Sequence, residues 1–252
     1  MYRIVIPARY ASSRFPGKPL VQIAGKPMLQ HVHARARQSS AAEILIATDD
    51  ARIVAAAEGF GARVMLTAHD HATGTDRIAE VARLCEWGRD DVVVNLQGDE
   101  PSMPPELLDQ VAALLLAHAG ADIATLAAPI ENLAEYLDPN VVKVVTDVAG
   151  RALYFSRAPI PWHRDELVDG RPGRCDGARR HIGLYAYRVG ALERLSALPV
   201  APLEEAEKLE QLRALHHGMD IRVANAVRRP GPDVNTPDDL RRAESAFRPA
   251  PG

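Results

Sequence analysis

Three cations leave the end of one short apolar run. Ile4, Val5 and Ile6 are followed by Pro7-Ala8-Arg9-Tyr10-Ala11-Ser12-Ser13-Arg14-Phe15-Pro16-Gly17-Lys18-Pro19-Leu20. The guanidinium forks of Arg9 and Arg14 and the point charge of Lys18 suit a polyphosphate. Ser12 and Ser13 add hydroxyls, and Gly17 permits close backbone approach. This is not a Walker-type loop, since no glycine precedes Gly17-Lys18 at the required spacing and Pro19 follows it. Taken alone, a solvated basic loop explains these residues equally well.

A second apolar run, Val92-Val93-Val94, ends in Asn95-Leu96-Gln97-Gly98-Asp99-Glu100-Pro101. A hard divalent cation shared with phosphates uses one or two carboxylates, and Asp99 could provide one. Asp99 and Glu100 also read as turn residues before a helix. In Ala72-Thr73-Gly74-Thr75-Asp76-Arg77, hydroxyls and backbone N–H groups gather where a helix begins. That is either a capping arrangement or a site that reads a base or a phosphate.

These segments need a scaffold that brings them to one edge. Ile4–Ile6, Ile44–Ile46, Val64–Leu66 and Val92–Val94 are short, apolar and polar-flanked, as buried strands are. Helical patterns fall between and after them over Pro27–Gln38, Asp50–Gly59, Gly74–Trp87 and Pro105–His118. In the third, Ile78, Val81, Ala82 and Cys85 turn inward. Strands alternating with helices predict an α/β fold: a mostly parallel sheet with helices on both faces and its ligands at the carboxyl ends of the strands. The rhythm then changes. Val141–Val145 and Ala152–Phe155 predict a hairpin, residues 163–180 a mobile loop, His181–Arg188 a strand and Leu203–His217 one helix carrying Leu209, Leu212 and Leu215. Thr236-Pro237-Asp238-Asp239 predicts a capped helix start. The expected organisation is one domain over residues 1–248, with a β-rich insertion over about 141–187 and a tail at 249–252.

Composition narrows the classes. The chain has 252 residues, is 47% hydrophobic and 25% charged, and carries a net charge of −3. It can bury a sizeable core, and no cationic field invites nucleic acid or a membrane. Cys85 and Cys175 have neither zinc-ligand nor disulfide-scaffold spacing. No apolar run reaches the length of a membrane span, and Met1–Pro7 reads as a strand rather than a leader, so a cytoplasmic protein is expected.

The order of the three motifs resembles the sugar-nucleotide cytidylyltransferases. Tyr154–Trp162 (YFSRAPIPW), His181–Arg188 (HIGLYAYR) and Glu207–Arg213 narrow the likeness to members that activate an eight-carbon acid sugar, and it spans nearly the whole chain. The resemblance implies a Rossmann-like fold of the nucleotide-diphospho-sugar transferase type, whose β-rich insertion serves dimerisation and sugar binding. It implies that Arg9, Arg14 and Lys18 grip the CTP phosphates together with Ala8 and Ser12, and that Thr73, Gly74, Thr75 and Gln97 border the cytidine. Asp99 would hold Mg²⁺, and with Arg9 and Lys18 it forms the expected catalytic set. Arg157, His181, Tyr185, Glu210 and Gln211, with Gln97, would receive the sugar 3-deoxy-D-manno-octulosonate (Kdo), Arg157 pairing with its carboxylate. The expected reaction is attack of the anomeric hydroxyl on the α-phosphorus with loss of pyrophosphate. A homodimer is expected, with its interface in Val141–Tyr187.

Read without the resemblance, His181 is as readily a satisfied edge histidine, and Glu210 and Gln211 fall on a helix surface. One position departs from the family. An aspartate stands before Thr-Pro in its last motif as a second metal ligand, whereas here that residue is Asn235. Asp233, two residues earlier on the same face of an extended stretch, is a candidate substitute. Three rivals remain: another acid sugar such as an 8-amino analogue or a sialic acid, a glycosyltransferase, and a nucleotide-binding regulator with a decayed metal site. Gln97-Gly98-Asp99-Glu100 lacks the D-x-D pattern that the glycosyltransferase reading needs.

Overall fold

The computed structural model describes residues 1–11, 15–165, 167–168 and 170–247. The first half follows the alternation read from the sequence. It runs β1 (Tyr2–Ala8), α1 (Met28–Ala36), β2 (Glu43–Thr48), α2 (Ala51–Gly59), β3 (Val64–Leu66), α3 (Gly74–Leu84), β4 (Val92–Asn95), α4 (Pro105–Leu116) and β5 (Ile123–Pro129). The second half holds α5 (Leu133–Leu137), β6 (Lys143–Thr146), β7 (Ala152–Ser156), β8 (Arg179–Arg188), α6 (Val189–Ala197), α7 (Pro202–Glu207), α8 (Gln211–His216), β9 (Ile221–Asn225) and α9 (Pro237–Phe247).

The nine strands form one sheet in the order β9-β5-β8-β4-β1-β2-β3, with β6 paired to β8 and to β7. Along the seven-strand path four of the six neighbouring pairs are parallel, and β8 runs antiparallel to both β4 and β5; β6 pairs antiparallel with β8 and β7. Strand periodicity explains why both faces are covered. Ile4 and Ile6 join the core beneath α1, α2 and α4 with Leu29, Ile53 and Leu107. Val5, between them, joins the opposite core with Ile78, Leu192 and Leu212.

The β-rich segment expected over about 141–187 supplies strands at two places in the sheet. Its hairpin, β6–β7, lies off the main strand path, but its last strand, β8, is central, between β5 and β4. The apolar alternation of Ile182, Leu184 and Ala186, all buried, is what places it there. The expected loop at 163–180 also contains a small antiparallel pairing of Leu167–Val168 with Arg171–Pro172, and residues 166 and 169 fall outside the described set.

The single helix expected over Leu203–His217 is two. Lys208 adopts a left-handed backbone (φ 53°) and ends α7. In an unbroken helix, Glu207 and Glu210 would share a face. The break instead turns Leu209 into the core and sends the two carboxylates to different partners.

Candidate functional site

The carboxyl ends of β1 and β4 are adjacent, paired in register from Tyr2–Val92 to Val5–Asn95. The loops that leave them therefore face each other. Gly98 makes the approach close: a Cβ there would lie 3.0 Å from the carbonyl oxygen of Pro7. Gly17, left-handed at φ 71°, packs under the ring of Tyr10, and its N–H donates to the Tyr10 carbonyl, closing the cation loop at its base. Ser12 and Arg14 lie outside the described residues. Ala8 is buried at the strand end. Arg9 turns back onto the entry to α3 and donates to the carbonyls of His71 and Ala72 and, at 3.0 Å, of Thr73.

That helix entry is capped at both ends of its first turn. Thr73 Oγ1 accepts from the Asp76 N–H, and the Asp76 carboxylate accepts from the Thr73 N–H. Gly74 sits against the Pro7 ring, where a Cβ would be 3.3 Å away. The hydroxyls of Thr73 and Thr75 donate to the two oxygens of Glu210, at 3.1 and 3.0 Å. Glu210 is thus joined to the threonines expected at the cytidine. Burial pushes its carboxyl up, against the two threonine hydrogen bonds.

Lys18 and Asp99 meet across the two loops. The ammonium is 2.6 Å from Asp99 Oδ2 and 3.2 Å from Asn235 Oδ1. Asn235 is brought there by Val234, which is fully buried among Ile23, Met28 and Ala243 and donates its N–H to the Asp99 carbonyl at 2.9 Å. Thr236 and Asp239 cap α9 reciprocally, as the sequence predicts. The Asn235 amide donates to Asp233 Oδ2 at 2.7 Å. Next to Asp99, Glu100 Oε2 is buried without a hydrogen-bond partner among the described residues. Burial, then the charges of Asp99 and Asp233, hold its carboxyl well above the usual range.

A cleft of about 1140 Å³ opens from this point toward β8, lined by Gln97, Asp99, Arg157, His181, Tyr185 and Gln211 among others. It also reaches Asp233 and Asn235. The structure therefore gathers into one space residues spread over nearly 140 positions of sequence. Glu210 is not on its wall; its carboxylate is held by the threonines. Gln211 is buried at the first turn of α8.

Arg157 is fixed but not neutralised. Its Nε donates to the Glu207 carbonyl at 2.6 Å and its Nη1 to the Pro139 carbonyl at 2.9 Å. No described carboxylate lies within ion-pair distance of its guanidinium. The Glu207 carboxylate is engaged elsewhere, accepting from Ser156 Oγ at 2.7 Å and from the Arg157 main-chain N–H at 2.8 Å. By contrast Arg180, also on the cleft wall, is paired with Glu135 at 2.9 Å.

His181 lies 5.2 Å from the Tyr185 ring, despite the β-bulge between Ile182 and Tyr185. Its Nε2 is 2.9 Å from Thr125 Oγ1, which is also placed to donate to the carbonyls of Ile182 and Leu184. Thr125 has one proton, and it goes to a carbonyl. The histidine therefore donates from Nε2, leaving Nδ1 as an acceptor. Burial, reinforced by Arg180, pulls the imidazole down to about 3, so it is neutral across the physiological range.

The sequence reading gave no role to Glu207, Thr125 or Lys143. Lys143 had a visible signal, a lysine inside the apolar run Val141–Val145, and Glu207 opened the Glu207–Arg213 segment of the resemblance. Thr125 had none.

A family model described as cytidylyltransferase matches residues 3–221. A 3-deoxy-manno-octulosonate cytidylyltransferase of Thioalkalivibrio sulfidiphilus is 56% identical over 98% of this chain and 99% of its own length. One of Pseudomonas syringae pv. syringae is 55% identical over 96% of each. Among solved structures, a CMP:2-keto-3-deoxy-manno-octonic acid synthetase complexed with CTP superposes with a TM-score of 0.88 at 42% identity, covering 98% of both chains. A 4-diphosphocytidyl-2C-methyl-D-erythritol synthase, 16% identical with a TM-score of 0.63 over 98% of both chains, shares the fold.

Proposed function

This chain belongs to the cytidylyltransferase family, and from that premise we propose that it transfers CMP from CTP to Kdo, releasing pyrophosphate, as a 3-deoxy-manno-octulosonate cytidylyltransferase. The observation that carries the choice of an acid sugar is Arg157: a guanidinium held by two carbonyls, without a carboxylate partner among the described residues, on the wall of the cleft. A substrate carboxylate would supply the missing counter-charge. The product is an activated sugar fit for lipopolysaccharide assembly, and we place the reaction in the cytoplasm.

The anomeric oxygen of the sugar forms a bond to the α-phosphorus as the bond to the β-phosphate bridging oxygen breaks. Pyrophosphate carries away that electron pair, and the hydroxyl proton passes to solvent. Such transfer asks for positioning and charge neutralisation more than for covalent help. Arg9 and Lys18 bring positive charge to the edge that receives the phosphates. Thr73, Gly74 and Thr75 offer the α3 N-terminus to the nucleotide. His181, being neutral, orients the sugar through hydrogen bonding and takes no proton.

Mg²⁺ belongs to this reading. Asp99 Oδ2 and Asn235 Oδ1 converge on one point, taken here by the Lys18 ammonium. One anionic and one neutral oxygen aimed at a cation are the donor chemistry that a hard divalent ion accepts, with phosphates and waters completing its shell. Asp99 and Asn235 would hold it, and it would supply charge neutralisation and a lowered pKa for a bound hydroxyl. We read the protein as a homodimer built on the β6–β7 hairpin, where Val148 and Leu153 are exposed.

The test is pyrophosphate release from CTP and Mg²⁺ with Kdo, run beside 8-amino-Kdo and a sialic acid. Fast release with Kdo supports the reading. Release with another acid sugar alone replaces the substrate, and no release with any of them refutes the activity.

A further inference from the structure

The Lys18 ammonium stands between the two oxygens assigned to a metal, 2.6 Å from Asp99 and 3.2 Å from Asn235. It is the only described cation there, and the pair is largely shielded: the lysine side chain is 15% exposed and the aspartate 24%. An ammonium and a divalent ion cannot share that point. With Lys18 in place, the charge of Asp99 is already answered, and Asn235 brings none.

We propose that Lys18 is a built-in stand-in for the divalent cation, which gains the Asp99–Asn235 position only when a nucleoside triphosphate draws the ammonium away. The proposal rests on the metal reading above. Three features of the chain support it. Lys18 begins a short 3-10 turn, Lys18–Leu20, behind the left-handed Gly17. Its four-carbon stem can therefore swing the ammonium by side-chain rotation alone, without shifting the backbone. The second is the loop it belongs to, which leaves the same strand end as Arg9, so a triphosphate arriving at that edge offers Lys18 a stronger anion than one carboxylate. The third is Asn235 itself. Its amide is anchored to Asp233 at 2.7 Å, which aims its carbonyl oxygen at the ammonium. A neutral oxygen at that point holds Lys18 more weakly than an aspartate would, so the ammonium leaves at lower cost.

The consequence is a coupling between two ligands. Metal and nucleotide bind interdependently, and by linkage each raises the affinity for the other by the same factor. Free metal binds weakly to the protein alone, because the position is occupied by the protein's own cation.

Mn²⁺ binding, followed by the electron paramagnetic resonance of the free ion, tests this without turnover. It is measured on the wild type, Lys18→Met and Lys18→Gln, each without nucleotide and with CTP. Without nucleotide, both variants should bind Mn²⁺ about tenfold more tightly than the wild type, within the range usual for coupled sites. Adding Asp99→Asn to either variant should abolish the gain. Equal Mn²⁺ affinity of wild type and both variants, with the wild type still binding Mn²⁺ once CTP is present, overturns the proposal and leaves the metal reading intact. No Mn²⁺ binding by any form, with or without CTP, overturns both.

Discussion

The ammonium of Lys143 lies 2.6 Å from the carbonyl oxygen of Arg157, inside the protein and without a carboxylate partner among the described residues. The same ammonium donates to the carbonyls of Val141 at 2.6 Å and Asp138 at 3.0 Å. One fully buried side chain thus joins the turn before β6 to the residue after β7, and both border the cleft. Burial pulls this lysine down from its usual value, the cost of using a cation as an internal brace.

Replacing Lys143 with Met keeps the length and removes the three donors. Each buried carbonyl left unpaired costs about 1–3 kcal/mol, and partial relaxation leaves an expected total of about 3 kcal/mol. Urea unfolding measures that. The functional signature is selective: KM for Kdo should rise about tenfold while KM for CTP stays within about twofold, the same conversion of lost binding energy. A parallel rise in both constants would mean that the brace supports the whole domain and not the sugar side.

Arg157 should show the sharpest split between the substrates. Arg157→Met removes the unpaired charge, and a lost charge-assisted hydrogen bond is worth roughly 1.5–3 kcal/mol. KM for Kdo should therefore rise about 10- to 100-fold, with CTP binding unchanged by calorimetry. The wild type should also prefer the acid to its methyl ester, and the variant should lose that preference. If the variant still discriminates against the ester, another group receives the carboxylate.

His181 links the cleft to acid stability. Its folded pKa is about 3, far below the value of 6.5 expected for an unfolded histidine. Between those limits the unfolded chain binds the extra proton, so this residue's contribution is complete above about pH 6.5 and is lost as pH falls toward 3. At about 1.4 kcal/mol per unit, the loss reaches several kcal/mol at the acid end. His181→Gln keeps a donor for Thr125 and removes the titration. Its unfolding free energy should fall less steeply than that of the wild type from pH 6.5 to 4, as urea midpoints at each pH would show. Parallel curves would mean that the buried histidine does not govern the acid limb.

Much of this was legible from residue types. Strands such as Val92–Val94 are recognisable because both their faces must be apolar, and the loops after β1 and β4 because their charges and glycines stand where such strands end. The helix at Thr236 was legible because its cap is local chemistry. The break at Lys208 was not. A left-handed lysine has no sequence signal; it follows from the tertiary demand that Leu209 be buried while Glu207 reaches Ser156 and Glu210 reaches Thr73. The central place of β8 was hidden for a related reason, since strand order depends on long-range pairing that no local pattern encodes. Position 235 lies between these cases: the sequence exposes the missing charge, and only the structure gives its hydrogen-bond partners.

Those partners change what should be expected of Asn235→Asp. The amide donates to Asp233 at 2.7 Å and its oxygen faces Lys18 at 3.2 Å. An aspartate there would put two carboxylates in contact and hold Lys18 harder, so the single change should destabilise the fold by about 1 kcal/mol through the lost hydrogen bond to Asp233. It should not by itself quicken turnover. Exchanging the two residues, Asp233→Asn with Asn235→Asp, preserves one amide, one carboxylate and the bond between them, and moves the charge to the oxygen that faces the cation. The aspartate holds the ammonium harder, but a divalent ion gains more from the added charge than the monovalent ammonium it displaces. The exchanged protein should therefore recover the lost stability and reach half-maximal activity at several-fold lower Mg²⁺. A Mg²⁺ titration of the wild type, the single variant and the exchanged pair decides it. An unchanged Mg²⁺ requirement in the exchanged pair would place residue 235 outside the metal's reach and leave Asp99 as its sole protein carboxylate.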